Sequence, residues 1–223
     1  MSALEGGQKI DIRTVYLGRM TGNCYIVRTG KGFVLIDTGK ASKLARLERE
    51  LEGAGCRNGN LDLIVLTHGD FDHTGNAASL REKFGARIAM HGDDSPMVEQ
   101  GDMFYNRKRG GFILRGMVNF FFGIRRFKPD ITVDEGYDLS GHGLDAKVLH
   151  IPGHSKGSIG ILTAGGELFC GDLFSNTDGP ELNPIMDDLA EAKASARKLR
   201  GREINRVFPG HGMPFPMDSL MIP

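Results

Sequence analysis

Apolar positions along this chain follow two rhythms. Short runs rich in Val, Ile, Leu, Tyr and Phe, set off by glycine-containing turns, predict β-strands over 12–17, 23–28, 32–36, 61–66 and 86–90. A second set follows over 146–151, 158–163, 167–170 and 204–208. Between them the spacing lengthens to that of a helix. Leu44, Leu47 and Leu51 share one face of a helix over 41–52, with Gly53 as its stop. A helix over 76–84 is closed by Gly85. A third, over 187–200, carries Leu189, Ala192, Ala196 and Leu199 at helical spacing, with Asp187 as N-cap and Gly201 beyond its end. Strands interleaved with a few helices predict sheets covered by helices.

The 223 residues fit one domain, 1–223, with an inserted segment at about 92–135. Lys+Arg and Asp+Glu both number 28, so no global charge calls for nucleic acid. The first seven residues carry no apolar core and no basic leader, and no apolar run approaches the ~18 residues of a membrane span. Cys24, Cys56 and Cys170 form no CxxC pair; Cys24 and Cys170 read as small buried hydrophobes, and a reducing cytoplasm is the default expectation.

Within the insertion, 103–129 holds seven basic residues, Arg107, Lys108 and Arg109 among them, and no acidic one. It also holds six of the 13 phenylalanines, including Phe120, Phe121 and Phe122. The first reading is a helical lid or homodimer contact with buried aromatics and solvated cations. Recognition of an anionic or acyl-bearing small-molecule substrate ranks second, and docking on an anionic membrane surface third.

The chemistry concentrates elsewhere. His68, Asp70, Asp72 and His73 crowd into six residues directly after the strand-like run 61–66. Imidazoles beside carboxylates suit Zn, Fe or Mn. His154, Asp172 and His211 recur in one context, a loop after a strand with glycine (Gly153, Gly171, Gly210) immediately before the candidate ligand. Ligands from the same ends of several strands make the sheet edge a common platform. His91, His142 and His150 lack the pattern and read as surface or packing residues.

Five segments in this order resemble the metallo-β-lactamase-fold superfamily: Leu35-Ile36-Asp37-Thr38-Gly39, the stretch from Thr67 to Gly75, Pro152-Gly153-His154-Ser155, Gly171-Asp172, and Pro209-Gly210-His211-Gly212. The resemblance implies an α/β (α+β) fold, an αββα four-layer sandwich, with two divalent metal ions at one edge. It places His68 and His154 on the first metal, Asp72, His73 and His211 on the second, and Asp172 between them. Asp37 would support the site from behind rather than ligate; its rival reading is a simple strand-ending turn.

One position departs from the family's usual His-x-His-x-Asp-His. Asp70 stands where the second histidine belongs. As a ligand of the first metal it would add negative charge, shifting preference from Zn towards Fe or Mn and weakening Lewis acidity. The alternative is that its short side chain does not reach the metal. The leading function is a metallohydrolase in which a metal-bridging hydroxide cleaves an ester, lactone, thioester, lactam or phosphodiester, with Asp72 relaying the nucleophile's proton. The stretch from Glu167 to Phe174 looks like the glyoxalase II branch, but 175–180 does not continue the likeness. The rival is a di-iron redox protein related to flavodiiron proteins, reducing oxygen or nitric oxide without a flavin domain of its own. A metal-binding module without catalysis is the third reading.

Overall fold

The computed structural model describes residues 10–18, 20–105, 107, 116–117, 119 and 123–221. Two six-stranded sheets face each other. The first runs in chain order: β1 (Asp11–Val15), β2 (Cys24–Thr29), β3 (Gly32–Ile36), β4 (Leu61–Val65), β5 (Arg87–His91) and β6 (Ile131–Val133). Its first three strands pair antiparallel, and β3 to β6 pair parallel. The second comprises β7 (Ala146–His150), β8 (Ile159–Thr163), β9 (Glu167–Asn176), β10 (Glu181–Leu182), β11 (Arg206–Gly212) and β12 (Phe215–Pro216). Its order is β12-β11-β9-β8-β7, with β10 added beside β9. The helices are α1 (Leu44–Ala54), α2 (Phe71–Thr74), α3 (Ala77–Phe84), α4 (Ser95–Gln100) and α5 (Leu189–Lys198).

Strand alternation explains the layers. Side chains at successive strand positions point to opposite faces. Val34, Ile36, Leu63 and Val65 meet Val148, Ile161, Phe169 and Phe208 of the second sheet in the central core. Their neighbours Leu35, Ile64 and Leu66 point the other way, onto Leu47 and Leu51 of α1 and Leu80 and Phe84 of α3. Leu149, Leu168 and Val207 pack outward against Ala192 and Ala196 of α5. Both faces of the central strands β3, β4 and β9 are thus buried, which is why these read as continuous apolar runs. The result is the expected αββα order.

Several boundaries differ from the sequence expectation. α1 runs through Gly53 and ends at Gly55, whose φ of 104° supplies the left-handed cap that Gly53, inside the helix, does not. The N-cap of α5 is Asp188, not Asp187; its carboxylate accepts a hydrogen bond from the Glu191 amide. β9 and β11 extend well past 170 and 208, so Asp172 and His211 lie within strands rather than in loops after them. Register shifts at Phe208/Pro209 and Pro209/His211 leave extra residues on β9 between Phe169 and Ser175, bulges that break the regular alternation around Asp172 while β9 and β11 stay paired through Gly212. Within 92–135, α4 and the edge strand β6 belong to the described architecture. Lys108, Arg109, Phe120, Phe121 and Phe122 lie outside the described residues. Cys24, Cys56 and Cys170 are all buried free thiols. Among the described residues no helix is long and apolar enough to cross a membrane.

Candidate metal centre

The site is assembled at one rim, from residues at or just past the ends of β3, β4 and β7 and within β9 and β11. Asp37, directly after β3, is the one non-glycine residue with positive φ among those described (59°). That strained conformation turns its buried carboxylate under the rim. Asp37 Oδ1 accepts the Thr67 amide at 2.8 Å, and Oδ2 accepts the Thr67 hydroxyl at 2.8 Å. His73 Nδ1 lies 2.8 Å from the same Oδ2. Thr38 fastens α2 through its amide and hydroxyl, which donate to the His73 carbonyl at 2.7 and 2.8 Å.

This network sets the tautomers. The Thr67 hydroxyl is spent on Asp37, so His68 Nδ1, 2.9 Å away, donates to its oxygen. His73 Nδ1 donates to Asp37, and His154 Nδ1 donates to the Ile185 carbonyl at 2.7 Å. All three imidazoles are left with Nε2 facing inward, the arrangement that orients metal-binding histidines.

The inward atoms form two groups. In the first, Asp70 Oδ2 lies 3.1 Å from His154 Nε2 and 3.8 Å from His68 Nε2. In the second, His211 Nε2 lies 3.3 Å from Asp72 Oδ2, and His73 Nε2 is 3.9 Å from it. Asp172 spans both: Oδ1 is 3.4 Å from His73 Nε2, and Oδ2 is 3.4 Å from His211 Nε2 and 3.8 Å from His154 Nε2. Donors about 2.1 Å from one tetrahedral ion stand about 3.4 Å apart, so the spacings suit cations between them. His68 Nε2, His73 Nε2 and Asp172 Oδ1 are buried and make no hydrogen bond. Such atoms are costly unless a ligand meets them, and divalent cations, one in each donor group, would meet them.

Burial opposes the charge on Asp172, but His211, His73 and His154 hold its carboxyl well below the usual range. Burial also opposes protonation of His73, yet Asp172, Asp37 and Asp72 lift it to about 9. His211 is lifted against burial to about 11 by Asp172 and Asp72. His68 goes the other way: burial, then His73 and His154, push it well below the ordinary imidazole value.

The glycines before the candidate ligands are steric requirements. A Cβ on Gly210 would stand 2.0 Å from Asp172 Oδ1 and 2.8 Å from His73 Cε1. On Gly171 (φ 50°) it would meet Thr67 Oγ1 at 2.7 Å.

Two contributors, Asp94 and Asn23, escape a reading of the sequence, and a third, Arg107, is expected there only as a cation of the lid segment and is instead packed against Asp70. Buried Asp94, beyond β5, accepts the Gly69 amide at 2.9 Å, the Ser155 hydroxyl at 2.6 Å and the Gly157 amide at 2.9 Å, tying the loops of His68 and His154 together. Its position after a strand end is the one signal it shares with the other site residues. Asn23 holds the His211 turn, its amide donating to the Pro209 and Gly212 carbonyls at 3.0 and 2.7 Å. Arg107, its side chain largely covered, pairs with Asp70, Nη1 to Oδ1, at 2.8 Å. Burial opposes ionisation of Asp70, but Arg107 and then His154 hold its carboxyl far below the carboxylate range.

The other histidines lie apart. His91 and His150 stack in parallel, centroids 4.3 Å apart, with Nε2 of one near Asp134 and of the other near the Lys156 carbonyl. His91 and Asp93 with His150 form a further grouping of potential donors, and buried His142 pairs with Asp62.

Beside the second group opens a cleft of about 690 Å³ whose walls include Met20, Phe71, Met103 and Ile185, with Lys40 also lining it and Asp72, Asp172 and His211 exposed to it.

The profile described as the metallo-beta-lactamase superfamily matches residues 17–211. The probable metallo-hydrolase MJ0888 of Methanocaldococcus jannaschii is 27% identical over 199 residues, covering 86% of this chain and 88% of that protein. The hydroxyacylglutathione hydrolase of Shewanella pealeana is 30% identical over 159 residues, covering 71% of this chain and 44% of that one. The crystal structure of TTHA1623 in a di-iron-bound form superposes with a TM-score of 0.70 at 30% identity, covering 93% and 96% of the two chains. The chain spans about half the length of some curated relatives, 55% of the beta-lactamase-like protein 2 homolog of Caenorhabditis elegans among them.

Proposed function

This chain belongs to the metallo-beta-lactamase superfamily, and from that premise we propose that it is a dinuclear metal-dependent hydrolase of acyl compounds. The observation that carries the reading is one buried carboxylate, Asp172, shared by two groups of imidazole and carboxylate donors beside an apolar cleft. His68, Asp70 and His154 would hold one ion, Asp72, His73 and His211 the other, and Asp172 both. The ions, when bound, supply Lewis acidity and an activated water.

The remaining work falls to the protein. Asp37 and Thr67 keep His73 and His68 in the tautomer that offers Nε2. Asp72 faces the cleft; burial opposes its charge, but His73 and His211 keep it ionised, so its carboxylate can take up and pass on the proton released as water attacks. Met20, Phe71, Met103 and Ile185 offer an acyl group an apolar wall. The name of the Shewanella relative supports a thioester as one member of the substrate class. Relatives named as hydrolases favour hydrolysis over the redox alternative, and the di-iron form of TTHA1623 is consistent with iron as one of the ions accepted.

The test pairs metal analysis of protein purified without added metal with a panel of chromogenic esters, lactones, thioesters and bis-phosphodiesters, run with Zn, Mn and Fe. About two metal equivalents per chain and turnover of acyl substrates ahead of phosphodiesters are expected. Background rates throughout, with oxygen consumption by iron-loaded protein and a reductant, would sink the proposal in favour of redox chemistry.

A further inference from the structure

Asp70 has two oxygens in two different environments. Oδ2 faces the imidazoles of His154 and His68 at 3.1 and 3.8 Å. Oδ1 is ion-paired with Arg107, whose Nη1 stands 2.8 Å away though outside hydrogen-bonding geometry. The guanidinium is anchored on its far side by Asp187, Nε to Oδ2 at 2.7 Å, and Nη2 donates to the His154 carbonyl at 3.5 Å. Arg107 therefore touches two residues of the first donor group, and its side chain is only 8% exposed. A planar guanidinium can hold three different partners, Asp70, Asp187 and the His154 carbonyl, at fixed positions around one cation; a lysine ammonium on its flexible stem cannot.

Two physical consequences follow. With Oδ1 engaged, Asp70 can offer a cation only Oδ2, so the first group keeps the low coordination number that zinc prefers. It does not acquire the extra carboxylate oxygen that favours manganese or ferrous iron. The guanidinium also offsets the charge that an aspartate brings to a position otherwise filled by neutral imidazole. Asp187, the outer partner, is 26% exposed, so solvent screens its own charge more than that of buried Asp70.

We propose that Arg107 is a positioning residue that makes Asp70 a one-oxygen, charge-compensated ligand, so that the Asp70–Arg107 pair does the work of a histidine at the first metal. The inference rests on the dinuclear reading above. It alters the expectation from sequence, in which an uncompensated Asp70 moves the site towards Fe or Mn.

The test is a cycle of variants read by metal competition against a chromogenic chelator, which needs no substrate. The Zn-over-Mn affinity ratio of the first site is measured for wild type, Arg107→Met, Asp70→His and the double variant. Arg107→Met should lower the ratio about tenfold in the wild-type background. With Asp70 already replaced by histidine, Arg107→Met should leave the ratio within about twofold and raise zinc affinity, because the arginine there is only a buried cation beside a metal. Arg107→Lys keeps the charge without the planar guanidinium and should lower the ratio by a smaller factor in the same direction; it answers the question should Arg107→Met fail to fold. An unmoved ratio in the Arg107 variants, or the same fall in both backgrounds, would overturn the inference while leaving the dinuclear reading intact. Wild-type protein that bound no metal would overturn both.

Discussion

At Gly210 a single hydrogen atom separates a working site from a blocked one. Its Cβ position lies 2.0 Å from Asp172 Oδ1, so Gly210→Ala must displace the carboxylate shared by both donor groups. Loss of at least one metal equivalent is expected, measured by metal analysis of folded protein; retention of both would contradict the packing. The histidines predict a pH dependence. His73 and His211, raised to about 9 and about 11, carry protons at neutral pH that a metal must expel from Nε2. Affinity should therefore climb as pH rises towards those values, by up to about tenfold per pH unit for each proton released. Calorimetry in buffers of different ionisation enthalpy checks it, and binding that released no protons at pH 7 would refute it. Raised values also mean that the two charged histidines stabilise the metal-free fold below about pH 6.5, the ordinary imidazole value, a contribution lost as pH climbs through 9 and 11. At this scale the sequence was informative about identity and silent about pairing: Asp70 stands out by its departure from a pattern, whereas nothing near Arg107 in the chain announces a partner 37 residues away.

At the scale of elements, loops belonging to opposite sheets are held to one another by side chains. Asp94 is the clearest case, joining the Gly69 amide on one side to Ser155 and Gly157 on the other. Asp94→Ala strands three buried donors and should cost about 3 kcal/mol or more of stability. Denaturant melts of the metal-free protein measure it; a change below about 0.5 kcal/mol would show that these loops are fixed by other means. The strands and main helices were readable because alternation and helical spacing leave direct marks on the chain. Their ends were not. Gly53 and Gly55 are equally plausible stops to propensity alone, and only the backbone reveals which adopts the left-handed cap. Likewise the bulges around Asp172 arise from pairing between strands far apart in sequence.

For the molecule as a whole, binding and folding are linked, since the candidate ligands come from strands, loops and a short helix at the edges of both sheets. An unfolded chain cannot gather them, so metal should stabilise the native state by about 2.7 kcal/mol at a hundredfold excess over Kd. Thermal melts with and without chelator test this, and coincident curves would deny that a metal completes the fold. The sequence by itself predicted sheets covered by helices and a dense set of candidate donors, because apolar periodicity and residue type are local properties of the chain; the αββα order and the sharing of those donors between two ions were implied by the family resemblance. The tertiary structure decided what those donors do to one another. Distances between Nε2 and carboxylate oxygens, the tautomers set by Asp37 and Thr67, and the hold of Arg107 on Asp70 all depend on segments brought together only by burial of the sheets.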